Sequence, residues 1–535
     1  MLIVYDKKGG FVIPKELTNN RQLVVNILAT AMALVLNVGV NFFLSPYIVR
    51  TIGAEANGFV QLSANIISFA ALTAIALNSM AGRFVSVAVH QNDFNKAKEY
   101  YSAVFYGNCA IAAVLSVVAF ICVIFLDRFI NISDNLVFDV QILFAIAFAN
   151  YLLNILFYFK GVAYFVKNKV HLGRIAMMLS QIVHVIILVS LFSLFTPKVY
   201  FVGIAAISAS VFGIVMRVYF KRKLLPEINV KKQYYSRRTL FELLSSGVWN
   251  LVNSGGMILL NGLNLLIANI LISPAGMGAL ALANTIPSFM AGLALAFTSA
   301  FTPQSTIHYA NGDMVTLKKE LKRSMKLTCI LLTIPLACII TLGYEFFSLW
   351  VPSENAVLLH RLSVISCLGF IYISGVQCVD RVFIITNKLR TNSLLILLSG
   401  FLNVGVVYIL LHVDSLQEYG LFIIVSVGVV INFLRNIFYV VPFAAKLLGY
   451  KWTTFFPEMF LSVLCSTIMI AISFGFKQLF IIDSWLKLFV VVGLIALVGL
   501  GVNSIIVLNK DERAYVKELI FKELNKLRRQ GKYQD

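Results

Sequence analysis

The chain has 535 residues, of which 59% are hydrophobic and 13% are charged, and its formal net charge is +20. Its apolar runs are repeatedly long enough to cross a bilayer, at about 20 residues each, which excludes a soluble globular protein. The basic residues lie in alternate loops between these runs, which is the positive-inside pattern and excludes a nucleic-acid-binding surface as the reason for the charge. These features predict an all-α integral membrane protein with no nucleic-acid partner.

The apolar runs predict about fourteen transmembrane helices. Because the basic loops alternate and the number of spans is even, both termini are predicted to be cytoplasmic. In chain order the predicted helices cover residues 22–49, 57–82, 101–126, 139–164, 172–195, 199–219, 243–272, 278–302, 326–350, 359–386, 391–412, 419–444, 455–477 and 485–508.

One stretch of the chain is repeated, without a gap, at a shift of 220 positions. Gly58 falls on Gly278, and Asp93, beyond the apolar run, falls on Asp313. The shift places predicted helix 2 on helix 8, and therefore helices 1–6 on helices 7–12. Since six is an even number, the two halves have the same orientation and are expected to be related by an axis along the membrane normal, as in transporters built by duplication.

The repeat also predicts the domain organisation. A basic loop links the two halves, and predicted helices 13 and 14 lie outside the repeat. The tail is predicted to be an amphipathic helix on the anionic inner leaflet, with a solvated charged tail as the alternative. The predicted segments are a cytoplasmic N-terminus 1–21, an N-lobe 22–219, a linker 220–242, a C-lobe 243–444, helices 13 and 14 within 445–508, and a basic cytoplasmic tail 509–535.

Amide side chains on predicted helices 1, 2 and 7 are candidate sugar contacts. Polar side chains are costly in hydrocarbon, so their alignment on a helical face indicates a watered cavity or a contact between helices. An amide suits a hydroxyl-rich ligand because it offers both donors and an acceptor. The candidates are Asn37, Asn41, Asn65, Asn250, Asn253 and Asn261.

The few charges deep in the predicted helices are candidate contacts for a diphosphate or another acidic group. Arg435 lies eleven residues before Lys446, which is about 16 Å at the helical rise. Asp380 is the only acid far from a helix end, and it is the candidate for ion coupling. Alternatively, Asp380 and the adjacent Arg381 neutralise charges on other helices, and Lys160 extends to the headgroups. The cationic candidates are Arg435, Arg381, Lys160 and Arg83.

No motif in the chain indicates an enzyme, a metal site or a cofactor. There is no phosphate-binding loop of the ATPase type, and no large loop carries paired acids. The seven cysteines lie in apolar segments without the spacing of metal ligands.

Residues 41–102 contain a short loop from Gly53 to Gly58, a second helix of small residues, and an inner loop of Asp-x-x-Lys-Ala type at Asp93. In these features the opening of the chain resembles the multidrug/oligosaccharidyl-lipid/polysaccharide (MOP) exporter superfamily, and within it the bacterial O-antigen and capsule flippases. The resemblance implies a V-shaped bundle of two six-helix lobes around a central cavity. It also implies alternating access that moves an oligosaccharide on undecaprenyl pyrophosphate from the inner to the outer leaflet of the plasma membrane.

The same resemblance implies lipid-linked oligosaccharide and membrane lipids as ligands, with polysaccharide polymerase and chain-length proteins as candidate partners. Predicted helix 1 lacks the arginines of lipid II flippases and the acid of proton-coupled drug exporters, which favours a flippase for glycan repeat units. A small-molecule or multidrug exporter of the same fold is the main alternative, and a membrane enzyme acting on lipid-linked glycans is a second. Pro287, where helix 2 has Ile67, is expected to bend helix 8.

Overall fold

The computed structural model describes residues 4–5, 11–12, 20–386, 388–509 and 512–513. Outside a short antiparallel pair, β1 (Val4–Tyr5) and β2 (Phe11–Val12), the described elements are helices. The predicted amphipathic tail helix lies almost wholly outside the described residues. The prediction of an all-α membrane protein is confirmed.

The helices of the first half follow the predicted spans closely. Their bounds are α1 (Asn20–Ile52), α2 (Ala54–His90), α3 (Phe94–Ile124), α4 (Leu126–Phe129), α5 (Val137–Phe157), α6 (Val162–Val166), α7 (Val170–Leu194) and α8 (Tyr200–Leu224). A 3₁₀ turn, Tyr158–Gly161, joins α5 to α6.

The remaining helices are more often interrupted. Their bounds are α9 (Arg237–Met257), α10 (Asn264–Leu271), α11 (Pro274–Ala283), α12 (Thr285–Ala310), α13 (Met314–Trp350), α14 (Ala356–Cys367), α15 (Phe370–Val376), α16 (Val382–Ile385), α17 (Leu389–Leu411), α18 (Gly420–Arg435), α19 (Val441–Leu447), α20 (Phe456–Leu479) and α21 (Trp485–Val507). Two π-helical turns, Ile258–Gly262 and Asn436–Val440, follow α9 and α18.

Thirteen helical stretches of the described chain are long and apolar enough to cross a membrane. The predicted span 359–386 is the exception, because α14, α15, a 3₁₀ turn (Val379–Arg381) and α16 divide it into short pieces. With that divided span the total agrees with the predicted fourteen. Pro287 has the expected effect. The predicted eighth helix is interrupted at Asn284, and Pro287, three residues later, has no backbone N–H to donate to the helix.

The sequence repeat is also a repeat of local structure. At the turn after α2, Asn92 takes a left-handed φ of 60°, and at the equivalent turn after α12, Gly312 takes 72°. The next residue, Asp93 or Asp313, caps the following helix by accepting the backbone N–H three residues on, at 2.9 Å and 3.0 Å. The two 3₁₀ turns are also equivalent, so that Lys160 and Asp380 occupy the same local geometry with opposite charge.

The described chain divides into two compact packing units. The first holds the residues up to Thr285 together with Ser353–Leu362 and Lys388–Asn432, and the second holds the remainder. These units are defined by packing and the predicted lobes by the repeat, so the lobe boundaries stay a prediction.

Helix α2 lies at the centre of the first packing unit and contacts its neighbours through glycines. A Cβ on Gly58 would lie 2.9 Å from the Cα of its repeat equivalent Gly278, so equivalent residues meet, as copies do at a two-fold axis. A Cβ on Gly247 of α9 would lie only 1.8 Å from the carbonyl oxygen of Ala76. Small residues thus bring helix backbones into direct contact, which is how membrane helices gain packing energy.

In the second packing unit, α20 and α21, the two helices outside the repeat, pack on α13. Ile334, Leu342 and Met469 belong to a buried cluster that α13, α20 and α21 share. Ion pairs join α13 to α20 at both ends, since Lys322 lies 2.8 Å from Glu458 and Lys477 lies 2.8 Å from Glu345. The extra helices are therefore an integral part of this unit.

The contact between α2 and α9 leads to the first prediction. Gly247→Ala is expected to lower the thermal unfolding midpoint of the purified protein, because the added methyl must push the two backbones apart at a cost of about 1–3 kcal/mol. Gly255→Ala on the same helix is the control, since its Cβ would meet only the Leu72 side chain at 4.0 Å. Equal midpoints for the two variants would contradict the proposed close contact.

Candidate functional site

A cavity of about 1020 Å³ lies inside the first packing unit. Residues of α1, α2, α5, α6, α7 and α8 line it, together with the 3₁₀ turn after α5. Neither Asp nor Glu occurs among the described residues that form its wall. Its amide side chains are Asn37, Asn41, Asn78, Asn150 and Gln181, and its arginines are Arg83, Arg174 and Arg217.

Small residues on α7 and α8 shape the wall of the cavity. A Cβ on Gly213 would lie 2.9 Å from Ser180 Oγ, so these helices pack in close contact at that point. A Cβ on Gly173 would lie 3.1 Å from the ring of Tyr164. Ala176 and other small residues also line the cavity, and their short side chains leave its interior open.

The three arginines differ in their surroundings. Arg83, on α2, is exposed. Arg174, near the start of α7, is half-buried, and its Nε is fully buried without a hydrogen-bond partner among the described residues. Arg217, on α8, donates from Nη2 to Asn154 Oδ1 at 2.7 Å and from Nε to the Gly213 carbonyl oxygen at 3.4 Å.

Hydrogen bonds between amides hold several wall residues in place. The fully buried Asn108 donates to Asn78 Oδ1 at 3.0 Å and to the Ile155 carbonyl oxygen at 3.2 Å. Asn154 donates to the side-chain and backbone oxygens of Asn150, both at 3.0 Å. Asn108 and Asn154, which lie behind the wall, thus hold the lining amides Asn78 and Asn150 in position.

The structure brings together part of the predicted site. Asn37, Asn41 and Arg83 line the cavity, and Asn250 of α9 donates to the lining residue Ser79 at 3.2 Å. The cavity wall does not include the other predicted members of the first packing unit. These are Lys160, Asn65, Asn253 and Asn261, and their roles stay predictions.

Lys160 has a different environment from the one expected of a cavity cation. Its Nζ lies 4.9 Å from the centre of the Phe159 ring. It also interacts electrostatically with Lys221 and Arg222 at the basic end of α8. This position agrees with the alternative that Lys160 extends toward the headgroups.

The second packing unit contains the other predicted charges. Arg435 and Asp380 both act electrostatically on the hydroxyl of Tyr439, so these two residues are near one another. Asp380 Oδ1 is buried without a hydrogen-bond partner in the described part of the chain. A π-helical turn directly follows Arg435, and such turns are frequent at functional sites. Arg381 lies beside Asp380 in the 3₁₀ turn.

The sequence interpretation missed Arg174 and Arg217 as site residues. Arg174 looks like part of the basic loop that contains Lys167 and Lys169, and Arg217 lies a few residues before the cluster at Lys221. Both nevertheless fall inside the apolar runs predicted as helices. That position was the available signal, but it could not show which way the side chains point.

The pattern of the polysaccharide biosynthesis protein family matches residues 23–306, more than half of the chain, so the chain belongs to this family. The apolar helical stretches of its described part make it a multi-pass membrane protein. The chain is 28% identical over 466 residues to the uncharacterized membrane protein EpsK of Bacillus subtilis (strain 168), covering 86% of this chain and 90% of that protein.

Solved structures show the same fold. The lipid II flippase MurJ in an inward closed conformation superposes with a TM-score of 0.65 at 13% identity, over 90% of this chain and 99% of MurJ. An inward-facing multidrug resistance MATE transporter gives 0.60 at 13% identity, over 84% and 98% of the two chains. A MOP transporter from Pyrococcus furiosus, described as having reversed binding-pocket polarity, gives 0.54 at 14% identity, over 85% and 97%. The expected MATE-like fold is confirmed.

The amide pairs give the second prediction. Asn108→Ala should lower the thermal midpoint, because it removes two buried hydrogen bonds, one to Asn78 Oδ1 and one to the Ile155 carbonyl oxygen, at about 1–3 kcal/mol. Cys109→Ala, a change at the adjacent half-buried residue, should alter the midpoint little. If the two variants unfold at the same temperature, Asn108 does not support the cavity wall.

Proposed function

We propose that the protein moves oligosaccharide repeat units linked to undecaprenyl pyrophosphate from the inner to the outer leaflet of a bacterial plasma membrane. It does so by alternating access, with both termini in the cytoplasm, and without a cofactor or a covalent reaction. The surface polysaccharide is an O-antigen or a capsule, and a polymerase and chain-length proteins act on the product. Membership of the polysaccharide biosynthesis family supports this proposal.

The single observation that carries the proposal is a cavity inside membrane-spanning helices whose wall holds amides and arginines and, among the described residues, no acid. Five amides in its wall offer donors and acceptors that match sugar hydroxyl groups. Arginine in the same wall matches a diphosphate or an acidic sugar. An apolar drug would leave these polar groups without partners, which costs binding energy.

Except for Lys160, the predicted residues keep their proposed roles. Asn37, Asn41 and Arg83 contact the substrate in the cavity, and Asn250 contributes through Ser79. The remaining proposed contacts are Asn65, Asn253 and Asn261 for sugar, Arg381 and Arg435 for an acidic group, and Asp380 for ion coupling. Lys160, predicted as a further contact for an acidic group, is proposed instead to extend toward the headgroups.

A glycan-export assay tests the amides. In a strain that lacks its own flippase, the double change Asn37→Ala and Asn41→Ala should reduce surface polysaccharide about tenfold, since each lost hydrogen bond is worth about 1 kcal/mol. Surface polysaccharide is measured by immunoblot at matched protein levels. Asn95→Ala, an exposed amide outside the cavity, is the control. Normal polysaccharide in the double variant would remove these amides from the proposed site.

A resistance assay separates the proposal from the multidrug exporter alternative. Overexpression of the wild-type protein should leave the minimal inhibitory concentrations of cationic dyes and antibiotics unchanged, because α1 carries neither Asp nor Glu and the cavity wall is cationic. Resistance that the Arg83→Ala change abolishes would favour the exporter instead.

A further inference from the structure

Arg174 and Arg217 face a cavity between membrane-spanning helices without a carboxylate in its wall. Charged side chains at membrane depth normally pair with an opposite charge, because removing an ion from water is costly. The hydrogen-bond partner of Arg217 is instead the neutral amide of Asn154. Within the described part of the chain, the charge of this arginine is therefore stabilised by dipoles and not by a carboxylate.

The Arg217 side chain is directed away from the basic end of α8 and lies in the cavity wall. Arg217 lies seven residues before the end of α8 at Leu224, which is about 10 Å along the helix. Its guanidinium bonds to the carbonyl oxygen of Gly213, one turn further from that basic end. An arginine that extended to the headgroups would turn the other way.

Arg174 completes a pair of cations from neighbouring helices. It lies four residues after the start of α7 at Val170, and α7 packs along α8. Its Nε is buried yet unbonded within the described structure. Both guanidinium groups thus retain donors without a partner among the residues that the structure describes.

The second half of the chain does not repeat this pair. Helix α17 begins at Leu389 as α7 begins at Val170, so Arg174 corresponds to Ser393, which donates to the Trp249 carbonyl oxygen. Helix α18 begins at Gly420 as α8 begins at Tyr200, so Arg217 corresponds to Ile437. Neither arginine is therefore repeated at the corresponding position, and the arginine of α18, Arg435, lies two residues before Ile437.

We propose that Arg174 and Arg217 form an oxyanion-binding site in this cavity, with Asn154 as the residue that positions Arg217. The site takes a phosphate-type or carboxylate group, which the guanidinium fork binds through two parallel hydrogen bonds. This inference rests on the proposed function, in which that group belongs either to the diphosphate of the carrier lipid or to an acidic sugar.

Binding of inorganic pyrophosphate to the purified full-length protein, in a detergent without phosphate, tests the site directly. Arg174→Ala and Arg217→Ala should each weaken pyrophosphate binding about tenfold or more, as expected for the loss of a charge-assisted hydrogen bond. The control is Arg222→Ala, because Arg222 is exposed and lies outside the cavity. Unchanged pyrophosphate affinity in the Arg174 and Arg217 variants would overturn the proposal.

Asn154→Asp tests the role of the missing counter-charge. The new carboxylate would replace the Asn154 amide, whose Oδ1 now accepts a hydrogen bond from Arg217 Nη2 at 2.7 Å. It should raise the thermal midpoint of the ligand-free protein and also weaken pyrophosphate binding about tenfold, because it competes with the ligand for the same cation. A purely structural role would not produce these opposite effects, and this variant keeps the test decisive if an alanine variant fails to fold. Wild-type pyrophosphate affinity in Asn154→Asp contradicts the proposal.

Two further measurements identify the source of the anion. Glucuronate and glucose are compared with pyrophosphate as ligands, and Arg217→Ala is expressed in strains that make a neutral or an acidic repeat unit. Failure of export in both strains assigns the site to the carrier diphosphate, and failure with the acidic glycan alone assigns it to the sugar. If Arg217→Ala loses pyrophosphate binding but exports normally in both strains, the anion-site proposal holds and the proposed transport role of the cavity is contradicted. If Arg217→Ala binds pyrophosphate normally but fails to export, the anion-site proposal is contradicted and the transport role holds.

Discussion

The cost of a polar group without a partner in hydrocarbon governs this structure. It makes the spanning segments helical, because only a helix satisfies its own backbone there. It also explains the hydrogen bonds between amides inside the first packing unit, such as Asn108 to Asn78 and Asn154 to Asn150. Against that background, the notable feature is a cavity whose wall contains arginines and, among the described residues, no acid.

Duplication accounts for the scaffold but not for the chemistry. The capped turns at Asp93 and Asp313, and the 3₁₀ turns around Lys160 and Asp380, show that backbone geometry has been kept in both halves. The side chains placed on that geometry have diverged, since Ser393 in α17 and Ile437 in the π-helical turn after α18 occupy the positions that correspond to Arg174 and Arg217. A backbone contact such as Gly58 with Gly278 tolerates little change, whereas a cavity wall can accept new side chains without loss of packing.

Part of the sequence-predicted site lies in one cavity wall for a physical reason. Asn37, Asn41 and Arg83 lie on helical faces that are polar over several turns, and such faces must meet a cavity or another polar surface. Lys160 shows the limit of that reasoning, because its long side chain lies beside other cations and not in the cavity wall. Arg174 and Arg217 show the opposite limit, since charge near a helix end looks like loop charge until neighbouring helices are in place.

The sequence by itself determined the class of protein, the number and approximate bounds of the spans, and the repeat. These properties depend on the length of hydrophobic segments, the charge in loops and local turn chemistry, and each of these is visible in the linear sequence. Only the tertiary structure decided which polar side chains meet, because that depends on helix rotation and on the glycine contacts that set helix spacing. The pairing of Arg217 with Asn154, across 63 positions of sequence, is a consequence of packing that no local pattern specifies.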